Sequence, residues 1–281
     1  MEGEDWYYWT NRSELGSGLI HECSRELGLP NGFAVKFETL PLLKADECDL
    51  LVLPSLHGVS PTTLAAIRRL YEQGVNLIAL SDITGLEDLF GVRQAESEVW
   101  VQSVSCGGKT EYVFPMTAQL GYVCAGAAPK AWLNGEHPAI LCTPRTALIN
   151  TDLRAMGCSD NRKLSRDSLG QHFTGKLLRE ILTDVLRDLS APLVQGKNVG
   201  VTLFETQSGK TELLAIDYTP FDNREHSVKE AVVQIALPDV VDVKCDREVF
   251  AGKKDGCVKE LRFSIRPHES VFLELCRSSA N

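Results

Sequence analysis

LLVLPSLHG (50–58) and VNLIALSDITGLEDLFGV (75–92) decide how the fold is read. Each opens as a short aliphatic run and breaks into a polar loop, as a strand does when it leaves a sheet. Between them lies SPTTLAAIRRLYEQG (60–74), with Ser60 as N-cap, Pro61 at the first helical position and Gly74 as the stop. Leu64, Ile67, Leu70 and Tyr71 recur at helical spacing, so this segment predicts an amphipathic helix. Strand, helix and strand in this order predict a parallel pair with a helix on its face. In such sheets the loops that leave the strand ends hold ligands and chemistry, and here they carry His57, Ser81 and Asp82.

Working outward, WYYWT with Trp6 and FAVKFETL (33–40) read as strands and SGLIHECSRELG (17–28) as a helix. EVWVQSVSCGGKTEYVFP reads as a hairpin turning at Cys106 to Lys109, and PAILCTPRTALINTDL as two strands about a turn at Pro144. A long amphipathic helix follows, with Leu169, Phe173, Leu177, Ile181, Val185 and Leu189 on one face and Pro192 past its end. Beyond a polar link at 193–198, VGVTLFE, TELLAIDY, EAVVQIAL, VVDVKC, VKELRFSI and SVFLELC predict a small antiparallel sandwich. The expectation is a three-layer α/β sheet domain over 1–194 and an all-β sandwich over 195–281.

The composition narrows the function. With 43% apolar and 24% charged residues, the chain of 281 residues is that of an ordinary globular protein. A net charge of -9 without a Lys/Arg cluster argues against nucleic acid as a partner. No apolar run is long enough to span a membrane, and MEGEDWYYW lacks the order of a signal peptide, so a cytoplasmic location is expected. The nine cysteines are scattered without a CxxC spacing, which predicts neither a metal site nor a disulfide framework. No motif calls for a cofactor. The sequon at Asn11 is a chance-level match.

DLLVLPS, the capped helix, EQGVNLIAL, Thr84-Gly85, LEDLFGV and EHPAILCTPRTALINTDL together carry a resemblance. The pattern resembles the flavodoxin-like fold of the class I glutamine amidotransferases. More narrowly, it is similar to the amidotransferase-like trimerisation domain of the β-galactosidases of glycoside hydrolase family 42 and related glycosidases. The resemblance implies an oligomer, or a partner in the form of an N-terminal catalytic barrel that holds both catalytic carboxylates. The two domains read above leave no room for such a barrel, so the chain is expected to be a C-terminal piece of a longer protein or a free-standing relative.

In active amidotransferases the strand matching LIAL enters a cysteine on a tight elbow, with a His and a Glu elsewhere. Here Ser81 or Asp82 holds that place, Ile83 replaces the small residue, and the loop has no cysteine. Ser81 with His137 or His172 as base and Glu136 as orienter is the catalytic alternative; a cap or turn pair is the plainer reading of Ser81 and Asp82. His57 beside Gly58 reads as a turn histidine before a ligand group. Glu87 and Asp88 are adjacent and diverge on any helix, so a solvated face is expected rather than a carboxylate pair. SCGGKT lacks the full phosphate-loop pattern and reads as a hairpin turn, with Cys106 a surface thiol. Trp6 and Trp9 form an aromatic cluster that suits packing against a neighbour, or alternatively stacking on a carbohydrate. The function expected is that of a non-catalytic ancillary module of a glycosidase-like protein. The alternatives are a hydrolase with a non-standard nucleophile and a carbohydrate-binding protein.

Overall fold

A computed structural model describes residues 20, 23–24, 27, 35–80, 82–151, 153, 156, 176–190, 193–197, 199–217 and 228–278. These divide into two compact units, one holding 35–190, the other 193–278 with the short stretch around Cys23 and Leu27. The Leu27 carbonyl accepts from Gly196 N–H at 3.1 Å within that second unit.

The first unit is built on a mixed seven-stranded sheet. Its elements are β1 Leu50–Leu53, α1 Pro61–Glu72, β2 Asn76–Ala79, β3 Val92–Cys106, β4 Lys109–Cys124, β5 Ala128–Leu133, β6 His137–Cys142, β7 Thr146–Ile149 and α2 Lys176–Ser190. The strand order is β1-β2-β7-β6-β5-β3-β4. Among the described residues only the β1–β2 and β2–β7 pairings are parallel; every pairing from β7 outward to β4 is antiparallel.

This overturns the expected three-layer flavodoxin-like sheet. Strand dominates helix, and the sheets are mixed or antiparallel. The reason lies in two tight turns, since a parallel neighbour needs a crossover connection and a hairpin does not. Gly107 and Gly108, with φ of +55° and +80°, give β3 and β4 a two-residue turn in which both central residues have positive φ. Asn134 and Gly135, at +52° and +77°, open the three-residue turn 134–136 between β5 and β6. Four strands are therefore spent on hairpins where a doubly wound sheet would have strand and helix units. FAVKFETL is also corrected: Phe37–Leu42 is a 3-10 helix and not a strand.

The capped helix and the strands around it form as the residues dictate. Ser60 Oγ accepts from Thr63 N–H at 3.2 Å, Pro61 opens α1, and Ala66, Ile67 and Leu70 are buried. They meet Leu53, Leu77, Ala79, Ile83, Phe90, Leu141 and Leu148 in one apolar cluster. Helix α2 buries Leu177, Leu178, Ile181, Leu182, Val185, Leu186 and Leu189 and packs on β2, β3 and β4. Its last turn is tied down where Asn76 Nδ2 donates to the Leu189 carbonyl at 2.6 Å.

Gly91 closes the loop that follows β2. Its φ is +62°, its carbonyl accepts from Ala125 and Ala127 N–H at 2.8 and 2.9 Å, and a Cβ there would stand 2.8 Å from Ala127 N. Gly91→Ala combines left-handed strain with a backbone clash and is expected to cost about 2 kcal/mol. A chemical denaturation midpoint indistinguishable from the parent would contradict this account.

The second unit is a sandwich of two four-stranded antiparallel sheets, β12-β15-β10-β9 and β13-β14-β11-β8. Its strands are β8 Val194–Lys197, β9 Gly200–Glu205, β10 Thr211–Ile216, β11 Lys229–Ile235, β12 Val240–Lys244, β13 Phe250–Lys254, β14 Cys257–Ile265 and β15 Ser270–Arg277. Alternate residues from both sheets, among them Val201, Leu213, Val233, Leu261 and Leu273, share one core. The stretch read as a polar link contains β8, which pairs with β11 from Val194↔Ile235 to Lys197↔Val232. β13 was also not foreseen, because FAGKK has no apolar alternation of its own.

Candidate functional site

The loops after β1 and β2 lie side by side at the ends of two parallel strands, and a backbone bond joins them: Leu56 N–H donates to the Asp82 carbonyl at 2.9 Å. Asp82 is the hub of the second loop. Its Oδ1 accepts from Thr84 Oγ1 at 2.6 Å, from the Tyr122 hydroxyl at 2.9 Å and from Thr84 N–H at 3.0 Å. The bond to Thr84 N–H is a turn in which the Asp side chain substitutes for a backbone carbonyl. The Tyr122 oxygen in turn accepts from Ile83 N–H at 3.0 Å. The phenol of β4 thus pins the loop from across the sheet.

The other carboxylate oxygen behaves differently. Asp82 Oδ2 is buried, has no hydrogen-bond partner among the described residues, and stands 3.8 Å from His57 Nδ1. That separation is too long for a hydrogen bond. His57 itself is mostly exposed, and its backbone N–H donates to Ser55 Oγ at 3.3 Å. The structure therefore brings two sequence candidates, His57 and Asp82, to one place from positions 25 residues apart in the sequence.

The remaining candidates are placed as follows. Ser81, His172, Trp6 and Trp9 lie outside the described residues. His137 sits beside Glu136 at 3.9 Å by the turn before β6, and no hydrogen bond or ion pair among the described residues joins it to Asp82. Glu87 and Asp88 do not act as a pair. Glu87 Oε2 accepts from Gly85 N–H at 3.0 Å, while Asp88 receives both Nη1 and Nη2 of Arg68 at 2.7 and 2.6 Å. Arg68 Nη2 also donates to the Gly85 carbonyl, so the loop is laced to α1. The Arg68 hydrogen bonds hold the Asp88 carboxyl below the usual carboxylate range. Cys106 ends β3 at the Gly107–Gly108 turn, and the neighbouring Lys109 pairs with Glu180 at 2.6 Å; SCGGKT is a hairpin turn. Among the described residues no group of three His, Cys, Asp or Glu side chains is placed to hold a metal ion.

Sequence reasoning missed Tyr122 and Asn150. Burial pushes the Tyr122 phenol up to about 12, with the Asp82 carboxylate adding to the effect against the Ile83 N–H. The neutral phenol is the form the fold favours. Its contribution to stability is complete below the usual tyrosine value of 10.0 and is lost as the pH rises from there through about 12. Of the six tyrosines, one is expected to ionise last in an ultraviolet absorbance titration, and Tyr122→Phe is expected to remove that step. A single transition for all of them near the ordinary value would show that the phenol is not held this way.

No family profile and no curated protein matches the chain. Solved structures do. The chain is similar to α-L-fucosidase isoenzyme 2 from Paenibacillus thiaminolyticus at 12% identity and a TM-score of 0.56, over 91% of this chain and 48% of that one. It is also similar to a β-galactosidase from the psychrophilic Marinomonas ef1 at 13% identity and a TM-score of 0.49, over 96% of this chain and 34% of that one. This chain has the fold of part of a glycosidase. It spans about half the length of the fucosidase and about a third of the β-galactosidase. At these identities the likeness concerns fold, and neither the amidotransferase nor the flavodoxin-like description is supported.

Proposed function

We propose that the chain is a non-catalytic ancillary module of a glycosidase-like protein, acting in oligomer assembly or in shaping a neighbouring active site. The observation that carries this reading is the closed state of the loop after β2. Thr84 and Tyr122 together donate three hydrogen bonds to one Asp82 oxygen, and the Tyr122 hydroxyl caps Ile83 N–H, so Asp82 Oδ1, the Thr84 hydroxyl and the Tyr122 hydroxyl are spent on holding the loop's own shape. Nucleophilic catalysis needs a hydroxyl or thiol within hydrogen-bond reach of a base. Among the described residues no such pair includes His137. Likeness of fold to part of a fucosidase supports the glycosidase setting.

The test is enzymatic and hydrodynamic together. The purified chain is expected to hydrolyse neither aryl fucosides nor aryl galactosides above a heat-denatured control. In light scattering it is expected to self-associate, or to bind a separately expressed glycosidase catalytic domain. Turnover that disappears in His57→Ala and in Asp82→Asn would replace this reading with the second one, a hydrolase with a non-standard nucleophile. The 3.8 Å approach of His57 to Asp82 is the observation that favours that alternative.

A further inference from the structure

Strands β5, β3 and β4 lie side by side at one end of the seven-stranded sheet, and their two faces differ. Val99, Val101 and Val104 of β3 and Val113 of β4 are buried. Glu111, the register partner of Val104, accepts from Leu177 N–H at 2.7 Å, so this is the face on which α2 begins. The residues that alternate with those valines point the other way. Among them Trp100 of β3 is 56% exposed and Tyr112 of β4 is 85% exposed. Tyr112 pairs with Ser103 and Trp132 of β5 pairs with Ser105, and cross-strand partners share a face, so the three aromatic side chains stand on one side of the sheet.

Three steps along β3 separate Trp100 from Ser103, and Tyr112 stands one strand over, which puts the Cα atoms of Trp100 and Tyr112 about 10 Å apart. Register places Gln102, Ser103, Ser105 and Thr117 around them, an amide and hydroxyls without a charge. Glu98, two residues before Trp100, is engaged by Gln119 Nε2 at 2.7 Å. The backbone under Trp100 is held fast. β3 and β4 depart from regular register between Val101 and Ser103, and Asn134 bridges that irregularity. Its Oδ1 accepts from Gln102 and Ser103 N–H at 2.9 and 3.3 Å, and its Nδ2 donates to the Trp100 carbonyl at 2.7 Å. An aromatic side chain with two rotatable bonds on a clamped backbone loses little entropy when a ligand arrives.

An exposed aromatic pair in neutral polar surroundings fits a partner that is flat, partly apolar and uncharged. A pyranose ring is such a partner. The C–H groups of its face meet the negative face of an aromatic ring, while the hydroxyls at its rim reach amide and hydroxyl side chains. A protein partner would be met by apolar side chains at the centre of its patch, where this face sets Gln102 and Ser103.

We propose that the face of β3, β4 and β5 opposite α2 binds a neutral glycan of extended, equatorially β-1,4-linked rings, with Trp100 and Tyr112 each stacking on one ring. Their separation is longer than a single pyranose, so the ligand is a chain and not a free sugar. The inference rests on the ancillary reading above for its glycosidase setting, and it adds to that reading a ligand and two contact residues.

The experiment is native electrophoresis of the full chain in gels containing hydroxyethylcellulose or fucosylated xyloglucan, with carboxymethylcellulose as the charged polymer on the same backbone. Retardation by a neutral polymer, stronger than that by carboxymethylcellulose, is expected. Trp100→Ala and Tyr112→Ala are each expected to weaken the binding about threefold to tenfold, the worth of one aromatic contact, while Tyr112→Phe keeps the ring and the affinity. Both side chains are exposed, and circular dichroism matching the parent confirms that the variants fold. No retardation by either neutral polymer would overturn the proposal. So would retardation unchanged in both alanine variants, or carboxymethylcellulose binding as strongly as hydroxyethylcellulose. Self-association that these variants abolish, without glycan binding by the parent, would assign the face to a second copy of the chain and overturn it as well. Reducing ends counted in the same samples separate this proposal from the ancillary role. Binding accompanied by new reducing ends would overturn that role alone, and absence of both would overturn the glycan site alone.

Discussion

Phe90→Ala is expected to destabilise the first unit by about 3–5 kcal/mol, the usual cost of emptying an aromatic site in a packed core. Phe90 is fully buried and packs in the cluster that holds Ile83, Leu86, Val92, Leu141 and Leu148. It stands at the end of the loop that begins at Asp82, so the same side chain anchors the sheet core and fixes how the loop returns to β3. Phe90→Leu keeps much of the volume and is expected to cost less than half as much. Tryptophan fluorescence during urea unfolding reads this directly, because Trp100 and Trp132 lie in the first unit while residues 191–281 contain no tryptophan. Following one unit by its own probe also avoids treating a two-unit chain as a single two-state system. A shift below about 1 kcal/mol would mean that the loop collapses into the space, and that Phe90 does not anchor it.

Asn150→Ala is the second large effect, expected near 3 kcal/mol. Asn150 is 4% exposed and lies one residue beyond β7. Its Oδ1 accepts from Tyr122 N–H at 2.9 Å, and its Nδ2 donates to the Tyr122 carbonyl at 2.8 Å and the Pro138 carbonyl at 3.0 Å. The side-chain amide completes a ladder between β4 and β6 that no backbone reaches. Alanine leaves one N–H and two carbonyls without these bonds inside the fold, at about 1–3 kcal/mol for each group that finds no substitute. Asn150→Asp should be no better, since a carboxylate can accept from Tyr122 but cannot donate to either carbonyl. The accompanying sign is faster amide exchange at Tyr122. Unchanged exchange there, together with an unchanged unfolding midpoint, would show that water replaces the amide without loss.

The two effects converge on the candidate site. Tyr122 is held by Asn150 through its backbone and holds Asp82 and Ile83 through its hydroxyl, while Phe90 fixes the far end of the same loop. Little of this was legible from the residues alone. Asp82 was recognisable as a cap or turn-forming side chain, while its bonds to Thr84 two residues on came from the structure. Its third donor is 40 residues away on another strand, and a single sequence has no signal for that pairing. His57 and Asp82 were each noticed singly. Their proximity follows from the parallel register of β1 with β2, which pairs Leu53 with Ala79 and so brings the two following loops together.

The same contrast runs through the fold. Local chemistry foretold α1 from Ser60 to Gly74, the Gly107–Gly108 hairpin, the turn before β7 and most strands of the second unit, because caps, turn residues and alternation act within a few positions of one another. The strand expected over 33–40 failed because its aliphatic and aromatic residues fit a short 3-10 helix under α1 equally well, and Leu40 is buried there by tertiary contact. The flavodoxin-like expectation failed at a larger scale. The sequence by itself determined most of the strand segments, the Gly107–Gly108 turn, and that the motifs for a phosphate loop or a cysteine nucleophile are missing. Only the tertiary structure decided how the strands pair, and with it that most of the sheet is antiparallel and that Asp82, Tyr122 and His57 share one site. Strand pairing joins residues far apart in the chain, and its free energy comes from packing and register that no local preference encodes.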